Sequence, residues 1–140
     1  MRELTTTERS RQKLFRRDHG ATLAEFALVL PILLVLLIGI AEFGIAFNRA
    51  QAVEAAAREG ARLASIQGTT SGEVNTRVND TLVGIPFVIP PGVAINPGVC
   101  TGRQGDTVEV VVTAQHLVNI PPVVSQMVNL TGQAVFRCEG

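Results

Sequence analysis

The 140-residue chain contains 46% hydrophobic residues but only 4% aromatic residues, with neither Trp nor Tyr. Its 12 basic and 12 acidic residues give zero formal net charge, so no general attraction to nucleic acid is expected. This length leaves room for one small domain. Because Ala, Val, Leu and Ile supply the apolar content, the composition favours a lipid-facing helix and Val-rich strands over an aromatic recognition surface.

A basic head of residues 1–20 opens the chain. It holds more basic than acidic residues, the basic ones being Arg2, Arg9, Arg11, Lys13, Arg16 and Arg17. The head has no sustained apolar periodicity, so we expect it to be disordered or removed. The positive-inside rule predicts that the N-terminus stays in the cytoplasm and that the remainder is exported.

An almost unbroken apolar run extends from Phe26 to Phe47. Its length is close to the roughly 20 residues that cross a bilayer, and it exceeds the roughly 7–15 of a secretory signal. Residues 21–47 are therefore predicted to form a transmembrane helix, with a bend near Pro31. Glu42 lies near the C-terminal end of this run. It is either an interfacial carboxylate in contact with lipid headgroups or a residue that contacts another helix.

Residues 48–68 are predicted to continue the helix out of the membrane, with Gly68 as its stop. Small residues recur on one face at three- and four-residue steps and form a seam of Ala46, Ala50, Val53, Ala57, Gly60 and Ala64. Such a seam lets another helix or a sheet approach closely. The alternative is an amphipathic helix that packs on its own C-terminal domain.

Residues 69–140 are predicted to form a small exported domain of the α+β class. Thr70 and Glu73 have the spacing of a capping box, followed by a short helix to about Val83. The remaining predicted elements are an edge strand at Val93–Ile95, a strand at Thr107–Gln115, a short helix at Val123–Met127 after two prolines, and a last strand at Leu130–Cys138. Ala134, Phe136 and Cys138 are expected on one face of that strand.

The two cysteines, Cys100 and Cys138, both lie in the part predicted to be exported. An even pair in an oxidising compartment favours a disulfide, which would tie the start of the sheet to its last strand. The alternative is two small buried residues that never meet.

The sequence contains no recognisable catalytic or metal-binding set. His19 lies in the head, and His116 stands alone near a strand end, where we expect it to be solvated. No Gly-rich phosphate loop is present. We therefore predict neither an enzyme, a metal site nor a cofactor.

The segment that joins the head to the apolar run has a specific pattern. Gly20-Ala21, then Glu25-Phe26 at the fifth position after the glycine, then Ala27 to Pro31, is similar to the class III signals of type IV pilins. With Gly39 to Gly44 and Ala56 to Arg62 added, the pattern resembles the TadE family of minor pilins or pseudopilins of the tight-adherence (Tad/Flp pilus) system. The resemblance is strong over residues 19 to about 65.

The resemblance implies that a prepilin peptidase cuts between Gly20 and Ala21 on the cytoplasmic face. The new amine at Ala21 would lie about 6 Å along the helix axis from Glu25. It could pair with Glu25 of a neighbouring subunit, beside Phe26, and fix the stagger between subunits. The alternative for Glu25 is a carboxylate favoured by the positive end of the helix dipole.

The sequence-based hypothesis is a single-pass inner-membrane minor pilin or pseudopilin that supports assembly of a Flp-type adhesive pilus. Its implied partners are the prepilin peptidase, other pilin subunits, the inner-membrane assembly platform and membrane lipid, and not nucleic acid. The alternative is a single-pass envelope protein whose exported domain, periplasmic or extracellular, binds a partner without entering a filament.

Overall fold

The structure, a computed structural model, describes the backbone of residues 6–139 and the side chains of residues 20–139. It confirms the α+β class. The elements are α1 (Thr6–Ala64), α2 (Ser71–Thr81), β1 (Ile89–Asn96), β2 (Thr107–Ile120) and β3 (Val124–Arg137). The chain divides into two compact units, one ending at Ile40 and the other beginning at Ala41.

In the first unit the backbone is helical from Thr6, fifteen residues earlier than the predicted start at Ala21. Residues 6–20 are therefore helical rather than disordered, and the other alternative, removal of the head, stays a prediction. The expectation for residues 1–5 lies outside the described residues. Eleven of the 20 residues of the head are Arg, Glu, Leu, Lys or Gln, which are good helix formers. Extending an existing helix also avoids the cost of nucleating a new one. Helix α1 continues through Pro31, and the bend there stays a prediction.

The second unit is built on a three-stranded antiparallel sheet with the strand order β1-β2-β3. Alternate residues of the central strand are buried, namely Val108, Val110, Val112 and Ala114. They form one core with buried residues of α1 and α2, including Val53, Ala57, Val74 and Val78. Full burial of a Val side chain contributes about 1.5–3 kcal/mol, so this small core depends on close packing between helix and sheet.

Two glycines allow that close packing. A Cβ atom on Gly132 of β3 would lie 2.5 Å from the backbone oxygen of Val53 and 2.6 Å from the Cα of Glu54. A Cβ atom on Gly60 of α1 would lie 2.7 Å from a methyl group of Val78. The backbones of α1 and β3 are therefore in direct contact, which a side chain at Gly132 would prevent.

Helix α2 begins as predicted. The Glu73 N–H donates to the Thr70 hydroxyl at 3.3 Å, and the Thr70 N–H donates to the Glu73 carboxylate at 2.8 Å. The hydroxyl of Thr70 also donates to the Glu73 carboxylate. The backbone N–H of Thr70 chiefly, and then this hydroxyl, hold the pKa of Glu73 below its ordinary value. The preceding helix ends at Ala64, and Gly68 follows with φ +83°, a left-handed conformation that favours glycine.

The strands are longer than predicted, and the helix predicted at Val123–Met127 is wrong. That segment belongs to β3, which pairs with β2 from Ile120 opposite Val124 to Thr107 opposite Arg137. Residues 121–123 form the turn between them, where the N–H of Val123 donates to the carbonyl of Ile120 at 2.7 Å. The proline pair starts a turn as readily as a helix, and the long β2 edge supplies partners that favour the strand.

Candidate functional site

Gly20 and Ala21, the predicted cleavage junction, are exposed residues within α1. A Cβ atom on Gly20 would meet nothing within 4 Å, and its backbone does not require glycine. Glycine inside a helix costs about 1 kcal/mol relative to alanine. Neither packing nor backbone geometry therefore accounts for a glycine at this position.

Glu25 and Phe26 are also exposed, and Phe26 is surrounded by exposed aliphatic side chains of the same helix. Among residues 20–139, whose side chains are described, no salt bridge involves Glu25. The Glu25 carboxylate therefore lies at the start of an apolar helix surface, and no cation from residues 20–139 forms a salt bridge with it.

The apolar run has no buried face. Its most hydrophobic 18-residue window has a mean hydropathy of 2.7, and none of that window is buried within the chain. By length and composition this helix could span a membrane. In the second unit, Phe43 and Phe47 are also exposed, and their rings stack with centroids 6.3 Å apart. A helix that is apolar on all sides requires lipid or other helices around it.

The small-residue seam divides into two parts. Val53, Ala57, Gly60 and Ala64 are buried against the chain's own sheet and α2. Ala46 and Ala50 are partly buried. For the buried part, the alternative in which the helix packs on its own C-terminal domain is the one observed, because these residues are covered without any other chain.

A buried polar contact was missed by the sequence analysis. His116 is 3% exposed rather than solvated, and its Nδ1 atom contacts a guanidinium nitrogen of Arg49. Within the described part of the chain, its Nε2 atom is buried without a hydrogen-bond partner. Burial chiefly, and then the charge of Arg49, lower the pKa of His116, while Glu42 raises it. The expectation failed because β2 continues five residues beyond its predicted end, which carries His116 under α1.

Cys100 and Cys138 form a disulfide with Cα atoms 5.5 Å apart. Backbone hydrogen bonds hold both strand ends against the end of α1: the Cys100 N–H donates to the Ala64 carbonyl at 3.1 Å, and the Glu139 N–H to the Ser65 carbonyl at 3.0 Å. The bridge therefore joins the loop after β1 to the end of β3 where both meet α1.

An open groove of about 820 Å³ lies between the end of α1 and α2. Its charged lining consists of Glu59, Arg62, Glu73, Arg77 and Asp80. Arg77 pairs with Glu59 at 3.6 Å, and Glu73 is held by the capping box. No cluster of three or more His, Cys, Asp or Glu side chains suited to a metal ion occurs among the described residues.

Comparison with known proteins identifies residues 20–62 as a match to the family model described as TadE-like protein. The match begins at Gly20, covers the apolar run and ends near the end of α1. It spans under a third of the 140 residues and confirms the resemblance over this segment. No curated protein and no solved structure matches the chain.

Proposed function

We propose that this chain is a membrane-anchored minor pilin or pseudopilin that supports assembly of a Flp-type adhesive pilus. The observation that carries the proposal is the TadE-like match over residues 20–62, which begins at the proposed cleavage junction. The unburied apolar helix within the matched segment is consistent with an anchor in the inner membrane. The head would remain cytoplasmic and the α+β domain would be exported.

Processing after Gly20 explains a residue that the fold does not require. A prepilin peptidase that cuts before the apolar run leaves the whole anchor attached to the exported domain. The cut also creates an α-amino group on Ala21, with an ordinary pKa of about 8, so that it is mostly charged at neutral pH.

Docking through Glu25 follows from the same cut. A carboxylate at membrane depth costs several kcal/mol unless it is paired. The described residues provide no salt bridge for Glu25, and the amine of Ala21 on a neighbouring subunit is a suitable cation. The partners would be other pilin subunits and the inner-membrane assembly platform.

Gly20→Ala tests processing, with Gly44→Ala as its matched control. Both glycines lie in α1, and at both an added Cβ meets nothing within 4 Å. With the peptidase present, wild type and Gly44→Ala should begin at Ala21 by N-terminal sequencing, whereas Gly20→Ala should retain the head. A wild-type chain that keeps Met1 in the presence of the peptidase would refute processing and favour the non-filament alternative.

Glu25→Gln tests docking, because it removes the charge and keeps the side-chain shape. The variant should be cleaved normally but should lose co-purification with other pilin subunits and support fewer pili. Glu42→Gln is the comparison, since Glu42 lies in the same apolar run, and it should keep both properties if Glu42 is an interfacial carboxylate rather than a contact with another helix. Normal piliation with Glu25→Gln would show that the docking role is wrong.

The second candidate is a single-pass envelope protein whose exported domain binds a partner without entering a filament. The open groove between α1 and α2 favours it as a place for such a partner. We propose a non-enzymatic role in both cases, because three of the five charged residues that line the groove, Glu59, Arg77 and Glu73, are engaged in an ion pair and a helix cap.

A further inference from the structure

The charged residues of the second unit are unevenly distributed. No Asp, Glu, Lys or Arg occurs between Thr81 and Gly102 or between Val110 and Phe136. Within these stretches, two turns present exposed apolar side chains, and together we call residues 83–89 and 117–127 the uncharged rim. Its most exposed large side chains are Val83 at 77% and Val123 at 62%. Others are Val88, Ile89, Leu117, Val124 and Met127.

Both parts of the rim lie beside the same portion of α1. Gly84, Ile85 and Pro86 line a shallow groove together with α1 residues that include Ala41 and Ile45. The other part begins next to His116, which contacts Arg49. One part of the rim therefore lies beside α1 near the end of the apolar run, and the other begins next to a residue that contacts α1 there.

The charged end of the domain, which carries Arg103, Asp106 and Arg137, lies in the opposite direction along α1. Glu139, just beyond β3, donates to the carbonyl of Ser65, just beyond α1. Gly132 of β3 lies against Val53, and Val128 pairs with His116, which contacts Arg49. The turn at residues 121–123 lies a further four residues along the strand, about 13 Å at 3.3 Å per residue. The turn therefore lies beyond the level of Arg49, on the side of Phe47.

We propose that the uncharged rim is a lipid-binding surface that lies in the headgroup and upper acyl region of the bilayer spanned by α1. The proposal rests on the proposed function for the anchor itself. Lipid is the favoured occupant because the rim continues the exposed apolar surface of Phe43 and Phe47, which the anchor places at the membrane boundary. The rim also lacks the charges that would orient a polar protein partner, whereas apolar tips suit the interface, where such groups enter about 5–10 Å.

The absence of Trp and Tyr from the chain makes a single introduced Trp a clean fluorescent probe. Three single-Trp variants of the full chain are reconstituted in phosphatidylcholine vesicles, with or without lipid brominated near the headgroup end of the acyl chains. Val123→Trp reports the rim, Phe47→Trp reports the anchor, and Gln104→Trp reports the charged end. Val88→Trp provides a second rim position should Val123→Trp fold poorly.

The expected result is a blue-shifted emission for Val123→Trp and Phe47→Trp, with most of it quenched by brominated lipid, and no quenching for Gln104→Trp. Quenching of Phe47→Trp alone would overturn the rim proposal and leave the anchor intact. Absence of quenching at both positions would instead refute the anchor. A third result is an emission of Val123→Trp that is blue-shifted, is unquenched by brominated lipid and loses its blue shift on dilution in lipid. That result would overturn lipid binding and assign the surface to a second copy of this chain.

Discussion

At Gly132 the absence of a side chain determines how closely the sheet approaches α1. A Cβ there would overlap backbone atoms of Val53 and Glu54, which cannot move without displacing the helix. We predict that Gly132→Ala lowers the free energy of unfolding by about 1–3 kcal/mol, the usual cost of overpacking a core. Denaturant unfolding of the detergent-solubilised chain measures it.

Gly72→Ala is the matched control for Gly132→Ala. Its Cβ would have only the Thr70 hydroxyl in range, at 3.9 Å, and alanine improves helix propensity by about 1 kcal/mol. This control should be neutral or stabilising. If Gly132→Ala were also neutral, the two backbones would not be in the direct contact described.

The His116–Arg49 contact predicts a pH dependence. Nδ1 can accept from the guanidinium only in the neutral ring, and protonation would place a second cation beside Arg49 in a buried position. Because the pKa of folded His116 is lowered, the unfolded chain binds more protons below its ordinary pKa of about 6.5. Stability should therefore be full above that pH and should fall as the pH decreases through the lowered folded pKa.

His116→Gln isolates that dependence. The second histidine, His19, is retained in this variant, and carboxylates titrate mainly at lower pH. Unfolding free energies measured at about pH 7.5 and about pH 5.5, one unit on either side of the ordinary pKa, should differ in wild type and agree in His116→Gln. An equal loss in both proteins would assign the pH effect to other groups.

At the scale of elements, the capping box fixes where α2 begins and how it follows α1. Thr70→Ala removes the acceptor for the Glu73 N–H and one donor to the Glu73 carboxylate. We predict a loss of about 1 kcal/mol of unfolding free energy. Thr76→Ala is the control, because the Thr76 hydroxyl donates to the Gly72 carbonyl within the helix and caps nothing. Equal effects of the two substitutions would show that the cap contributes no more than a mid-helix hydroxyl.

The elements with local signals could be predicted from the sequence. The capping box at Thr70, the alternating valines of β2 and the glycine after α1 each act within a few residues. The prediction of a helix at Val123–Met127 was wrong, because the strand that forms there depends on pairing with the extended end of β2. His116 was missed for the same reason, since its burial depends on strand length and on Arg49, 67 residues earlier.

The resemblance of residues 20–62 to the TadE-like family could be predicted for a different reason, whereas the roles of Gly20 and Glu25 stay predictions. Gly20, Glu25 and the apolar run form a local pattern, and the comparison matches that segment. The seam could not be assigned, because small residues permit close packing without specifying what packs there. Only the sheet, through Gly132 and the valines of β2, shows that the partner of its buried part lies in the same chain.

At the scale of the whole molecule, the disulfide lies at the end of the sheet that carries Arg103, Asp106 and Arg137. The bridge spans 38 residues, and a closure of that length stabilises by roughly 4 kcal/mol in the chain-entropy account. A disulfide is stable only in an oxidising compartment. The redox state of Cys100 and Cys138 in cells therefore reports whether the domain has been exported.

We predict that both cysteines of the wild-type chain resist maleimide labelling in denatured cell extracts until a reductant is added. Leu33→Arg with Leu37→Arg should release both thiols, because each charge at the helix centre opposes insertion by about 2.5–3.5 kcal/mol and would retain the domain in the reducing cytoplasm. Leu33→Ala with Leu37→Ala is the control and should remain unlabelled. Free thiols in the wild-type chain would contradict export. If the same chain then formed the Cys100–Cys138 disulfide on oxidation in vitro, the pairing would still be correct, because only the predicted compartment would be wrong.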